Sequence, residues 1–258
     1  GSEMTIIAGF SASGHGPAPL HLAAQLSRCT GDNVIAAAII ERPWPRKLDP
    51  FEGEYFTYVE GQAKDSLQQM IDQLPAEVDI QPMVRQALSV PVGLTELAAE
   101  VSATVVVVGS SSSGLRGRIA LGSVTDRLVH TAAVPVAIAP RGYTAQSATI
   151  ERLTVAYGGH ADEVGLVATT AQLAEQWSAR LRIASFTVRP ASMFSSATET
   201  SAEDLVVEQS ARRTQDGIAA QLENVRSGID TLDAEVVIGS GASWREAVEA
   251  VEWAAGDI

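Results

Sequence analysis

Short apolar runs alternate with longer amphipathic stretches along this chain, and their order predicts its architecture. Thr5–Phe10, Val34–Ile40, Val78–Arg85, Val105–Val108 and Val134–Ala139 read as strands. Val78–Arg85 alternates loosely; the other runs are short and largely apolar, which suits strands covered on both faces. Between them, Leu20–Arg28, Val59–Leu74, Leu94–Val101 and Thr125–Thr131 carry helical spacing, as with Leu22 and Leu26 on one face. Residues from Arg42 to about Tyr58, with Trp44, Phe51, Tyr55, Phe56 and Tyr58, read as a proline- and aromatic-containing loop. Regular alternation of strand and helix predicts an α/β parallel sheet with right-handed crossovers.

The pattern then repeats. Leu153–Tyr157, Ala168–Arg180 and Leu181–Val188 repeat the first strand, helix and second strand, and Arg189-Pro190 follows as Arg42-Pro43 did, 147 residues earlier. Ser201–Arg226, Ala234–Gly239 and Trp244–Ala255 continue as helix, strand, helix. Gly256-Asp257-Ile258 lines up with Ala103-Thr104-Val105. A repeat of this length is a duplicated domain rather than a solenoid unit. The expected domains are 4–141 and 151–258, the second lacking its last strands in the given sequence and offering no phosphate loop.

Composition narrows the function classes. The chain has 258 residues, 46% hydrophobic, with a net charge of −13. An acidic balance disfavours nonspecific nucleic-acid or anionic-membrane binding, which need basic surface. No stretch of about 18 apolar residues suggests a membrane span. With no apolar signal peptide at the start, a cytoplasmic location is expected. Gly1, Ser2 and Glu3 before Met4 read as an expression remnant. Cys29 is the single cysteine, so no intrachain disulfide or cysteine-based metal cluster forms. His15 and His21 lack the companions of a metal site, and His130 closes a helix where a cation suits the dipole.

The candidate chemistry lies behind the four valines. Val105–Val108 stops at Gly109, followed by Ser110, Ser111, Ser112, Ser113, Gly114, Leu115, Arg116, Gly117 and Arg118, then by Gly122, Ser123 and Val124 before the helix. Strand, glycine-serine loop and helix start make a phosphate cradle, because backbone N–H groups converge there with partial positive charge. Glycine lets an anion approach where a Cβ blocks it. The plain alternative is a solvated connection with Ser123 as the helix N-cap. Nothing beside Ser123 supplies a base, so it is not read as a nucleophile.

The same segment resembles the universal stress proteins. That family carries Gly, two residues, Gly, nine residues, Gly and Ser or Thr after its fourth strand; Gly109, Gly122 and Ser123 fall on the register, with Ser112 at the second glycine. The VPV strand and the duplicated layout extend the resemblance over almost the whole chain. It implies two flavodoxin-like domains in tandem, each a parallel sheet of order 3-2-1-4-5. Ligands in such sheets bind beyond the carboxyl ends of the strands where the order reverses. The resemblance implies a stress-response regulator, not an enzyme, that binds ATP or AMP through Gly109, Ser112, Gly122, Ser123 and Val124, with Ile39 and Val108 beside the adenine. Gly9 stands where nucleotide binders of the family place an aspartate. The resemblance further implies a homodimer through the Val134–Ile138 edge strand. A scaffold without nucleotide and, further off, a slow ATPase are the alternatives.

Overall fold

The computed structural model describes residues 4–11, 16–42, 50–75, 77–110, 119, 122–144, 150–157, 163–188, 200–254 and 256–258. They form two units, 1–148 and 149–258.

In the first unit, strands β1 (Thr5–Ser11), β2 (Asn33–Glu41), β3 (Ile80–Ala87), β4 (Ala103–Gly109) and β5 (Val136–Ala139) alternate with helices α1 (Ala18–Thr30), α2 (Pro50–Asp72), α3 (Val90–Glu100) and α4 (Ser123–Thr131). The sheet has the order β3-β2-β1-β4-β5, and each neighbouring pair runs parallel. This is the flavodoxin-like order. One sheet face buries Ile7, Ala37, Ile39, Val106 and Val108 against Leu94 and Leu97 of α3 and Leu128 of α4. Residues of opposite parity, among them Ile6, Ala8, Val34, Ala36 and Val107, are also buried, so the strands are covered on both faces.

The structure revises several boundaries. Helix α2 begins at Pro50, so Phe51, Tyr55, Phe56 and Tyr58 lie on a helix and not in a loop. Proline at a first helical position loses nothing, since that N–H has no intrahelical partner. Phe56, Ala63 and Leu67 form the buried stripe of α2, while Phe51, Tyr55 and Tyr58 are exposed. Trp44 lies outside the described residues. Helix α3 begins at Val90, ahead of Leu94, because the Val92 N–H donates to Ser89 Oγ and Pro91 fits the first turn. Strand β5 begins at Val136, two residues after the expected Val134.

The second unit has β6 (Arg152–Ala156), α5 (Glu163–Gln176), β7 (Arg180–Val188), α6 (Thr200–Gly228), β8 (Ala234–Gly241) and α7 (Trp244–Ala250). Its sheet is β6-β7-β8, all parallel. Ser178 in the left-handed region turns the chain after α5, and Arg180 opens a strand rather than closing a helix. Helix α7 stops at Ala250, because Val251 is extended (φ −78°, ψ 130°).

The repeat is visible in the pairing. Thr5 pairs with Asn33, and Arg152 pairs with Arg180. Asp257 forms an isolated parallel bridge with Arg152, on the side of β6 where β4 lies beside β1. The chemistry of this face differs between the units. Ile7 and Ile35 of the first correspond to Thr154 and Arg182 of the second. Arg152 holds Asp257 through two N–H donors at 2.7 Å and Glu235 at 2.9 Å. Arg182, 3% exposed, donates to the Glu252 carbonyl (2.7 Å) and Thr154 Oγ1 (3.1 Å) and stacks on Trp253. Its Nη2 lies 3.9 Å from Asp257, too far for a hydrogen bond. Burial, then the neighbouring Arg152, holds the Arg182 pKa below its ordinary value.

Candidate functional site

In a sheet ordered β3-β2-β1-β4-β5, the chain reverses direction between β1 and β4. The crevice beyond their carboxyl ends is therefore bounded by Gly9–Ser11 and Gly109–Ser110 from the strands, and by the starts of α1 and α4. One hydrogen bond brings the ends of the intervening loop together, and a second ties the end of β4 to β5. The Thr125 hydroxyl, buried in the first turn of α4, donates to the Gly109 carbonyl at 3.1 Å. The Ser110 N–H donates to Ala139 O of β5 at 2.9 Å. The start of α4 is thereby pinned to the end of β4, whatever path the loop takes. The role of Thr125 was missed in the sequence, since a threonine at a helix start reads as local.

The helix starts at the crevice differ from others in the fold. The N-cap of α1 is Pro17 and that of α4 is Gly122, and neither has a side chain that caps the helix. By contrast, Ser89 caps α3 and Ser243 caps α7. In α4 the first intrahelical bond is from the Asp126 N–H to Gly122 O. Helix geometry leaves the N–H groups of Ser123, Val124 and Thr125 without intrahelical acceptors. Together with the helix dipole, three amides at one end favour an anion. Ser123 is not the N-cap but the first helical residue, and it is exposed. Val124 packs partly against the core. Asp126, in the same turn, lies 3.4 Å from His130 Nδ1, one turn along the helix.

The expected ligand residues fall into three groups. Gly109, Gly122, Ser123 and Val124 converge on the crevice as described. Ser112, with Ser111, Ser113, Arg116 and Arg118, lies outside the described residues. Gly9, Ile39 and Val108 lie on the core face: Ile39 is 1% and Val108 4% exposed, and both pack into the cluster under α3 and α4.

The two strand-end glycines have different causes. A Cβ at Gly9 stands 2.7 and 2.8 Å from the two terminal carbons of Leu94, itself fully buried. Glycine there makes room for a core leucine, and that leucine occupies the direction in which an aspartate side chain starts. A Cβ at Gly109 meets only Pro19, at 3.5 Å, an ordinary contact. Gly122 has φ −81° and ψ 171°, which any residue adopts. Packing among the described residues does not require glycine at 109, and the backbone does not require it at 122.

Arg28, the arginine of α1, stands in the last turn of that helix, at the end away from the crevice. His21, half-buried near the start of that helix, has its pKa lowered by burial and then by Arg28, so it is neutral at pH 7. The described residues contain no group of three or more His, Cys, Asp or Glu able to hold a metal. In the second unit, a Cβ at Gly217 would stand 3.2 Å from the ring of Tyr157, just after β6, and Gly158–Asp162 lie outside the described residues.

Residues 4–140 match the model of the universal stress protein family. The universal stress protein Rv2319c of Mycobacterium tuberculosis is 32% identical over 260 aligned positions, covering 99% of this chain and 88% of that protein. A putative universal stress protein structure from Pseudomonas aeruginosa covers 97% of this chain and 89% of its own at 12% identity, with a TM-score of 0.52. A universal stress protein crystallised in complex with cAMP covers 55% of this chain and all of its own, at 22% identity and a TM-score of 0.37.

The glycine contrast makes a direct test. Gly9→Ala is expected to destabilise the protein by roughly 1–3 kcal/mol, the usual result of overpacking a core. Gly109→Ala is expected to stay within about 1 kcal/mol of the parent, since ordinary space receives the methyl group. Urea unfolding of both variants measures this. Equal losses, or a larger one at Gly109, would contradict the assignment of the two glycines.

Proposed function

The chain belongs to the universal stress protein family, and from that premise we propose that its first domain binds an adenine nucleotide, ATP or AMP, by the phosphate end at the start of α4. The observation that carries this reading is the uncapped first turn of α4, pinned to Gly109 by Thr125. Phosphate oxygens supply the acceptors that Ser123–Thr125 lack within the helix. The glycines at 109 and 122 keep the approach clear of side chains. Ser112 lies between them in the sequence. The protein as a whole is acidic, so attraction is confined to the amide cluster, which suits one small anion and not a nucleic acid.

The output is regulatory and not catalytic. No base stands beside the described crevice: His21 is half-buried on α1, and Asp126 lies beside His130. No helix among the described residues is long and apolar enough to cross a membrane. A cytoplasmic stress-response role fits the family and the acidic surface.

A second reading, a stress scaffold without nucleotide, is favoured by Gly9. The position carries no carboxylate for a ribose hydroxyl, and Leu94 occupies the space above it.

Partner binding runs through β5. Val106 N–H donates to Pro135 O and Ser110 N–H to Ala139 O, which turns residues 135, 137 and 139 toward β4. In a parallel ladder the amides and carbonyls of Val136 and Ile138 then point away from β4. An edge of this kind pairs with a second strand, and the homodimer forms there.

Calorimetric titration with ATP and AMP is expected to show binding by the parent protein. Gly122→Glu is expected to weaken it at least tenfold, about 1.4 kcal/mol, by placing a carboxylate at the phosphate without straining the backbone. Absence of heat for the parent at millimolar nucleotide would select the scaffold. Sedimentation equilibrium is expected to show a dimer that Ile138→Pro reduces to monomer, since proline removes an outward N–H. A monomeric parent would refute the β5 interface.

A further inference from the structure

The two domains differ at one outer edge of their sheets, β3 in the first and β8 in the second. The registers allow a comparison position by position. Thr5 pairs with Asn33 and Arg152 with Arg180, so Ala36 of β2 corresponds to Ile183 of β7. Ala36 pairs with Pro82, and Ile183 with Val236. Pro82 of the first domain therefore stands where the second has Val236.

Ladder geometry decides what this exchange does. The Val34 N–H donates to Asp79 O, and the Leu181 N–H to Asp233 O. Along a parallel ladder, the odd-numbered residues of β3 and β8 then turn their N–H and C=O groups inward and the even-numbered ones outward. Pro82 faces outward and has no N–H, which blunts the edge of the first sheet. Val236 and Ile238 face outward with both groups, and no strand among the described residues pairs with β8 on that side. The outward carbonyl of Ala234 accepts from Arg226 at 3.3 Å, so the open stretch begins at Val236.

The side chains along this edge narrow the occupant. A Cβ at Gly239 or Gly241 would run into α7, so the odd positions face that helix and Val236 and Ile238 face away from it. Each of the two is 39% exposed. Asp230, Asp233 and Glu235, all exposed, lead into the strand and favour a cation beside it. A row of outward amides and carbonyls is matched by the backbone of one more strand. We propose that β8 takes up an extended segment of a partner protein as an added strand: its backbone pairs with Val236 and Ile238, its apolar residues at alternate positions lie beside those two side chains, and a Lys or Arg at its end lies by Asp233 and Glu235. The site is independent of the nucleotide crevice and of β5 in the first domain.

The test is a two-dimensional NMR titration of the full ¹⁵N-labelled chain at pH 7 with the peptide acetyl-Lys-Val-Thr-Val-Thr-Val-Lys-amide, using its counterpart with Glu at both ends as the probe of opposite charge. The basic peptide is expected to give saturable shifts at the amides of Val236, Ile238 and Ser240, with the acidic one several-fold weaker. Val236→Pro, which copies the first domain, is expected to weaken the peptide at least tenfold and to leave the spectrum outside β8 unchanged, because the N–H it removes makes no bond within the sheet. Ile238→Lys, which sets a like charge on the edge and keeps every backbone group, is expected to weaken it to a similar extent and decides the matter if the proline disturbs the fold. No saturable shift, largest shifts outside β8, equal response to the two peptides, or undiminished binding in Ile238→Lys would overturn the proposal. Concentration-dependent shifts at the same amides without peptide, lost in Val236→Pro, would place a second copy of this chain on the edge and overturn it likewise.

Discussion

The first turn of a helix has amides that no helix can satisfy by itself, and the site in the first domain depends on that constraint. Elsewhere in this fold a serine answers it, as Ser89 does for α3 and Ser243 for α7. At α4 the N-cap is Gly122, which has no side chain to offer. The buried hydroxyl of that turn, on Thr125, is turned away to bind Gly109. The turn is thus fixed in place by one residue and left without a side-chain cap by another. Position and demand together are what the proposed anion site rests on; either alone would describe a helix start like any other.

Much of this was legible in the residues. The alternation of apolar runs and helical stretches marks the parallel sheet, and the register of Gly109, Gly122 and Ser123 marks the crevice. What escaped sequence reading shares a cause: each feature depends on a contact between distant segments. The meaning of Gly9 rests on Leu94, eighty-five positions on, and shows only when α3 is laid on β1. Phe51, Tyr55, Phe56 and Tyr58 look like loop residues until Pro50 is seen to open α2. The partner of the Thr125 hydroxyl is a strand carbonyl, and no spacing rule connects the two.

The duplication shows how one topology tolerates different interiors. In the first domain, Ile7 and Ile35 belong to an aliphatic face. In the second, Thr154 and Arg182 take their places, with Arg152 and Asp257 forming a charged network. Breaking such a network exposes uncompensated buried charge, so it is strict about its members even where it adds little net stability. The first domain keeps a helix start without a side-chain cap beside β4, while the second carries charged and polar groups in its interior.

The most direct measurement is the chemical shift of the individual amides at Ser110, Ser123, Val124 and Thr125 on adding AMP to the labelled protein. Phosphate accepted by the first turn of α4 predicts that Ser123–Thr125 move downfield together, saturably, and more than any amide outside the β4–α4 crevice. Silent amides at those positions, with the largest shifts elsewhere in the chain, would contradict the account.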